Sequence, residues 1–207
     1  MKIYKLKNLD KKEIKKIAEE LKNGKIAIYP TDTIYGIGTN AFCLSGVKKI
    51  YKLKCRTDKK PLPVLVDNIS KIKKIVKKIP TGAEKLAKKF WPGALTLVFE
   101  TNELGSMLTG GKKNIAVRIP AHKVLLSIIK EMACPLIGTS ANISGKKVCR
   151  CLSDLDKKIL KNVDMIIDGG VVKLEKPSTV LDVSKFPYIV RREGCISKKE
   201  IEKFMKI

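Results

Sequence analysis

The chain has 207 residues, 44% of them hydrophobic, enough to bury the core of one domain without staples. No apolar run reaches the roughly 20 residues that cross a bilayer, and the N-terminus MKIYKLKNLDKKE lacks the apolar stretch of an export signal. The six cysteines form no CxxC pair and the single histidine is His122, so zinc spacings are absent and reduced thiols in a cytoplasmic protein without a membrane partner are expected.

A net charge of +24 favours contact with a polyanion such as RNA. Only five of the 44 basic residues are arginine, however: Arg56, Arg118, Arg150, Arg191 and Arg192. A chain that otherwise uses lysine keeps arginine where a planar, bidentate donor matters, which singles out these positions.

Apolar residues at Ile14, Ile17, Ala18 and Leu21 predict an amphipathic helix over 9–22, stopped by Asn23-Gly24. A strand at 25–29 (KIAIY) ends at Pro30, which cannot donate into a ladder. A Gly-rich loop follows, then a helix over 45–54, a strand at 62–66, and helices over 70–78 and 82–90, the last broken by Trp91-Pro92-Gly93. Further strands are expected at 95–99 and 115–119, a helix over 122–132, and strands at 135–138, 165–167, 179–183 and 188–191. A helix over 197–204 closes the chain, with Ser197 and Glu200 as a capping box. The alternation is that of a single α/β domain. Its sheet is expected to be mixed, because the last strands are too close together for helical crossovers.

Five segments bring hydrogen-bonding and cationic groups to strand ends, where α/β folds bind ligands. The first is PTDTIYGIG at 30–38, with two hydroxyls, a carboxylate and two glycines; an ordinary turn is the competing reading. In KLKCRTDKKPLPVL (52–65), Lys54 and Arg56 stand where a helix ends, a pair suited to a triphosphate, although helix C-termini favour cations in any case. Arg118 lies among apolar strand residues in VRIP and, if inward, requires an anion, either a ligand carboxylate or a structural Asp or Glu. GTSANISG (138–145) is rich in small donors, and DGG, PSTV and RREG repeat the theme near the C-terminus. There is no GxGxxG or GxxxxGK[ST].

The order PTDTIYGIG, KxR with KPL, FWPGALTLV, VRIP, SANISG, DGG, STV and RREG closely resembles the YrdC family of threonylcarbamoyl-AMP synthases, in its short form without an added C-terminal domain. The resemblance implies a twisted open mixed α/β sheet with a large concave basic cleft over 1–207. The implied reaction converts L-threonine, bicarbonate and ATP, with Mg²⁺, into threonylcarbamoyl-AMP and pyrophosphate. A downstream transferase complex would then modify tRNA, which the chain itself contacts or not. By the same resemblance Lys54, Arg56, Ser140, Asn142, Ser144 and Arg192 fall on ATP-binding positions, and Arg150, in a departing KKVCR segment, substitutes as a phosphate ligand. Thr31, Thr33, Lys60, Arg118 and Ser178 fall at the threonine and bicarbonate end. No acid–base residue or nucleophile is assigned. Leu65 replaces a histidine common in the family, and EKPST replaces a shorter EST. The competing function is a non-catalytic binder of double-stranded RNA or tRNA, which would need mainly a lysine-rich surface.

Overall fold

The computed structural model describes residues 1–57 and 61–205. Lys60 lies outside them. The chain opens with β1 (Lys2–Lys5), α1 (Lys11–Lys22), β2 (Ala27–Tyr29), β3 (Gly36–Gly38), α2 (Leu44–Leu53) and β4 (Val64–Leu65). It continues through α3 (Ile69–Lys73), α4 (Thr81–Phe90), β5 (Leu95–Glu100), α5 (Glu103–Leu108), β6 (Asn114–Arg118) and α6 (Lys123–Met132). It ends with β7 (Leu136–Ile137), β8 (Thr139–Ser140), α7 (Lys157–Leu160), β9 (Met165–Asp168), β10 (Thr179–Asp182), β11 (Ile189–Arg192) and α8 (Lys198–Glu202).

Local chemistry explains the helix limits. Asp10 caps α1 in a reciprocal box with Glu13, and Gly24 follows the helix at φ 86°, a left-handed value that costs glycine little. The lone histidine is a cap too: His122 Nδ1 accepts the Leu125 N–H at 3.2 Å and starts α6. Ser197 caps α8 by accepting the Glu200 N–H.

The strands form two mixed ladders where one sheet was expected. The first runs β1-β9-β2-β3-β8 and the second β11-β10-β5-β6-β4-β7. Gly138 is the crossing point: β7 before it belongs to the second sheet and β8 after it to the first. Its N–H donates to Pro63 O at 2.9 Å, and a Cβ there would come within 2.3 Å of Leu65 Cγ, so only glycine fits without displacing Leu65. Tyr29 Oη donates to Ile137 O at 2.7 Å and ties β2 to β7 across the crossing.

Helices α1 and α6 pack together on the first sheet, burying Ile17, Leu21, Leu125 and Ile129 against Tyr29, Met165 and Ile167. Each such side chain contributes roughly 1.5–3 kcal/mol of burial. The larger core, with Ile28, Ile37, Phe99, Val117 and Leu181, fills the space around the second sheet. Among the described residues no helix is long and apolar enough to cross a membrane.

Candidate active site

Where the two sheets diverge they enclose a cleft of about 780 Å³. The first sheet contributes Thr31, Thr33 and Ser140; the second contributes Thr96, Arg118, Ser178 and the β11 arginines. Four of the five arginines in the chain, Arg56, Arg118, Arg191 and Arg192, line it. In a lysine-rich chain this placement accounts for the sparing use of arginine, since the guanidinium fork matches carboxylate and phosphate oxygens.

PTDTIYGIG leaves β2 at Pro30 and returns as β3, so the loop is held at both ends by one ladder. Within it Thr31 Oγ1 accepts the N–H groups of Thr33 (3.0 Å) and Ile34 (3.2 Å) and donates to Ile34 O at 2.7 Å. The Thr33 hydroxyl stands 3.0 Å from Thr31 Oγ1 and accepts from Arg118 Nη1 at 3.0 Å. Tyr35 Oη donates to Gly170 O and accepts the Gly169 N–H, which fastens this loop to DGG. The segment is therefore both a built turn and a wall of the cleft.

Arg118 settles a choice the sequence left open. Its Nη2 donates to Asp32 Oδ1 at 2.7 Å, its Nη1 to Thr33 and its Nε to Gly93 O at 2.8 Å. Its side chain is 8% exposed and that of Asp32 14%, so the guanidinium has its anion inside the protein. Three of its five N–H donors are used; the remaining two have no partner among the described residues and belong to a side chain lining the cleft.

The KxR pair divides. Cys55 adopts φ 49°, a left-handed turn, between Lys54 and Arg56. Lys54 is 1% exposed and passes beneath the SANISG loop, donating its ammonium to Ser140 O and, at 2.6 Å, to Asn142 O. Its own carbonyl accepts the Ser144 N–H at 2.9 Å, so one residue stitches the loop at three points. Burial, and then the Arg56 charge, lower its pKa to about 8. Arg56 lines the cleft, half-buried, with Nη2 3.3 Å from Pro61 O.

Of the other expected ATP positions, Ser140 and Arg192 line the cleft, whereas Lys54, Asn142, Ser144 and Arg150 are not part of its lining. Asn142 is buried and donates to Ile143 O and Lys146 O, leaving its Oδ1 without a partner among the described residues. Ser144 is exposed, and Arg150 pairs with Glu175 at 2.6 Å. Leu65 fills the space beside Gly138 and adds an apolar surface to the cleft.

At the C-terminal side Ser178 Oγ lies 2.8 Å from Thr96 Oγ1, and Arg192 Nη2 donates to Ser178 O at 2.8 Å. Thr179 Oγ1 accepts the N–H groups of Gly194 and Ile196, which fixes the turn after RREG. The Arg192 pKa is lowered by partial burial and then by the Arg118 and Arg56 charges in the same cleft.

The sequence marks Arg191 as one of five arginines and as part of RREG without giving it a role, and does not mark Asp182. Val180 pairs with Arg192 and Leu181 with Val190, so Arg191 is the extra residue of a β-bulge. Regular alternation would turn neighbouring side chains to opposite faces; the bulge lets both arginines line the cleft. Arg191 Nε and Nη2 both reach Asp182 Oδ2, at 3.1 and 2.9 Å. Burial raises the Asp182 pKa, but hydrogen bonds from Ser184 and Arg191 outweigh it and hold the carboxyl below its ordinary value. The double arginine was the signal available in the sequence; the bulge that directs it was not.

Residues 19–194 match the Sua5, yciO and yrdC family model described as "Telomere recombination", and the chain belongs to that family. A threonylcarbamoyl-AMP synthase of Pyrococcus abyssi is 38% identical over 88% of this chain and 54% of its own length. The chain thus spans about half of that relative. A putative threonylcarbamoyl-AMP synthase of Methanocaldococcus jannaschii is 40% identical over 94% of both chains. The crystal structure of P. abyssi Sua5 complexed with L-threonine has a TM-score of 0.92 and 35% identity, covering 99% of this chain and 61% of that one.

Proposed function

We propose that the chain converts L-threonine, bicarbonate and ATP into threonylcarbamoyl-AMP and pyrophosphate, for N6-threonylcarbamoyladenosine formation in tRNA. The observation that carries this reading is the meeting of four arginines with the Thr31, Thr33, Thr96, Ser140 and Ser178 hydroxyls in one cleft. Similarity to a protein solved with L-threonine supports it.

In this reaction the threonine amine adds to bicarbonate with loss of water to give a carbamate. A carbamate oxygen then attacks the α-phosphorus of ATP, the bond to the bridging oxygen of the β-phosphate breaks, and pyrophosphate leaves with that electron pair. No side chain must act as nucleophile. Positioning and cations carry the acceleration, because charge builds on phosphate oxygens that a guanidinium can meet. Arg56 and Arg192 are the cleft cations assigned to phosphate, with Ser140 beside them. Arg118, through its two remaining donors, takes the threonine carboxylate near Thr31, Thr33 and Ser178; Lys60, assigned to that end by the family resemblance, lies outside the described residues.

Lys54 and Asn142 serve the adenylate side by shaping the SANISG loop, and Ser144 and Arg150 border it. Among the described residues no group of three His, Cys, Asp or Glu side chains is arranged for a metal, and Asp182 in the cleft wall is already bound to Arg191. In this reading Mg²⁺ is carried by the phosphates of the nucleotide substrate. A cytoplasmic location, direct tRNA contact through the lysine-rich surface and hand-over to a transferase complex belong to the same proposal.

The test is incubation of the pure protein with labelled bicarbonate, L-threonine, ATP and Mg²⁺. Label recovered in threonylcarbamoyl-AMP, with one pyrophosphate per product, is expected. ATP hydrolysis without label transfer would remove the reading.

A further inference from the structure

A second cavity of about 430 Å³ adjoins the cleft and shares Asn114, Asp182 and Arg191 with it. Its wall also carries Glu100, Lys113 and Lys185. Both carboxylates are already matched: Glu100 accepts Lys77 at 2.5 Å, and Asp182 holds Arg191 and two donors of Ser184. Lys113 and Lys185 have no carboxylate within ion-pair distance among the described residues; the Lys185 charge acts on Glu100 only from farther off, so both ammonium groups keep their donors for a ligand.

Arg191 stands at the junction. Its Nη1 has no partner among the described residues, and the bulge that brings it there is a local departure from regular pairing. Two lysines and one guanidinium edge around a recess of this size fit a compact polyanion better than a carboxylate, because each phosphate oxygen accepts a charge-assisted hydrogen bond.

We infer that the second cavity is a subsite for a phosphate-type anion, held by Lys113, Lys185 and Arg191 and continuous with the cleft. Two sources supply this chemistry: the terminal phosphates of a bound nucleotide, or the pyrophosphate released from it. Only the origin of the ligand rests on the proposed reaction.

Calorimetric titration with inorganic pyrophosphate alone tests the subsite without turnover. The wild type is expected to take up two equivalents, one in each cavity. In Lys113→Ser/Lys185→Ser, exposed positions that leave the core intact, the second event is expected to vanish or weaken roughly tenfold or more. Titration with ATP separates the sources. A matching loss of ATP affinity assigns the cavity to the nucleotide's own phosphates, and unchanged ATP affinity assigns it to released pyrophosphate. Identical pyrophosphate binding by both proteins, or a single site in the wild type, would overturn the inference. So would tRNA affinity falling in the variant while pyrophosphate binding is preserved. If the protein makes no threonylcarbamoyl-AMP but keeps the two-site titration, the proposed reaction fails and the subsite stands.

Discussion

Arg118 and Asp32 form an ion pair of 2.7 Å in the wall of the cleft, both side chains largely buried. The arginine that faces the proposed threonine end therefore also closes the PTDTIYGIG loop onto β6.

Removing one partner strands the other. Asp32→Ala is expected to destabilise the fold by about 3–5 kcal/mol, the usual cost of an uncompensated buried charge, whereas Asp32→Asn keeps an acceptor and loses less. Urea unfolding measures both. A loss below about 1 kcal/mol in Asp32→Ala would place the pair among ordinary surface bridges.

Arg56 faces the cleft from the turn after α2, outside the hydrophobic core. Arg56→Ala is expected to lower kcat/KM for ATP-dependent, threonine-dependent pyrophosphate release by roughly 100-fold or more, with an unfolding free energy within about 1 kcal/mol of wild type. Wild-type turnover would remove Arg56 from the site.

Lys54 gives a pH-dependent signature. Its folded pKa, about 8, lies below its ordinary value of 10.5. Above pH 8 the folded chain releases this proton while the unfolded chain keeps it until about 10.5, so linkage makes wild-type stability rise with pH across that window. Lys54→Met lacks the titration. The stability difference, wild type minus variant, should grow between pH 8 and 10.5 by on the order of 3 kcal/mol. A difference independent of pH would mean that the ammonium is better solvated than its burial implies.

Gly138→Ala puts a methyl group 2.3 Å from Leu65 Cγ and is expected to cost about 1–3 kcal/mol. Leu65→Ala alone opens a gap and costs roughly 2–5 kcal/mol. In the double variant the two changes share one space, so their costs should sum to more than the measured loss. Strict additivity would show that the backbone at Gly138, and not Leu65, sets the requirement.

The sequence by itself determined the α/β class, most helix and long-strand positions, and the residue types of the site. Those features are written in local periodicity, in caps such as Ser197, in the Pro30 stop and in the rarity of arginine. Some short elements escaped it: β1, β3, β8, α5 and α7 are each six residues or fewer and lack the flanking apolar runs that mark β4 and β7, which are as short. Tertiary structure alone decided which of the marked side chains turn toward one another. The two ladders cross at Gly138, where its backbone meets Pro63 and Leu65 from a distant part of the chain. Arg118 is committed to Asp32, Lys54 passes beneath SANISG, and a bulge turns Arg191 beside Arg192. Each outcome depends on strand pairing and burial between distant segments, and a local pattern carries no record of those distances.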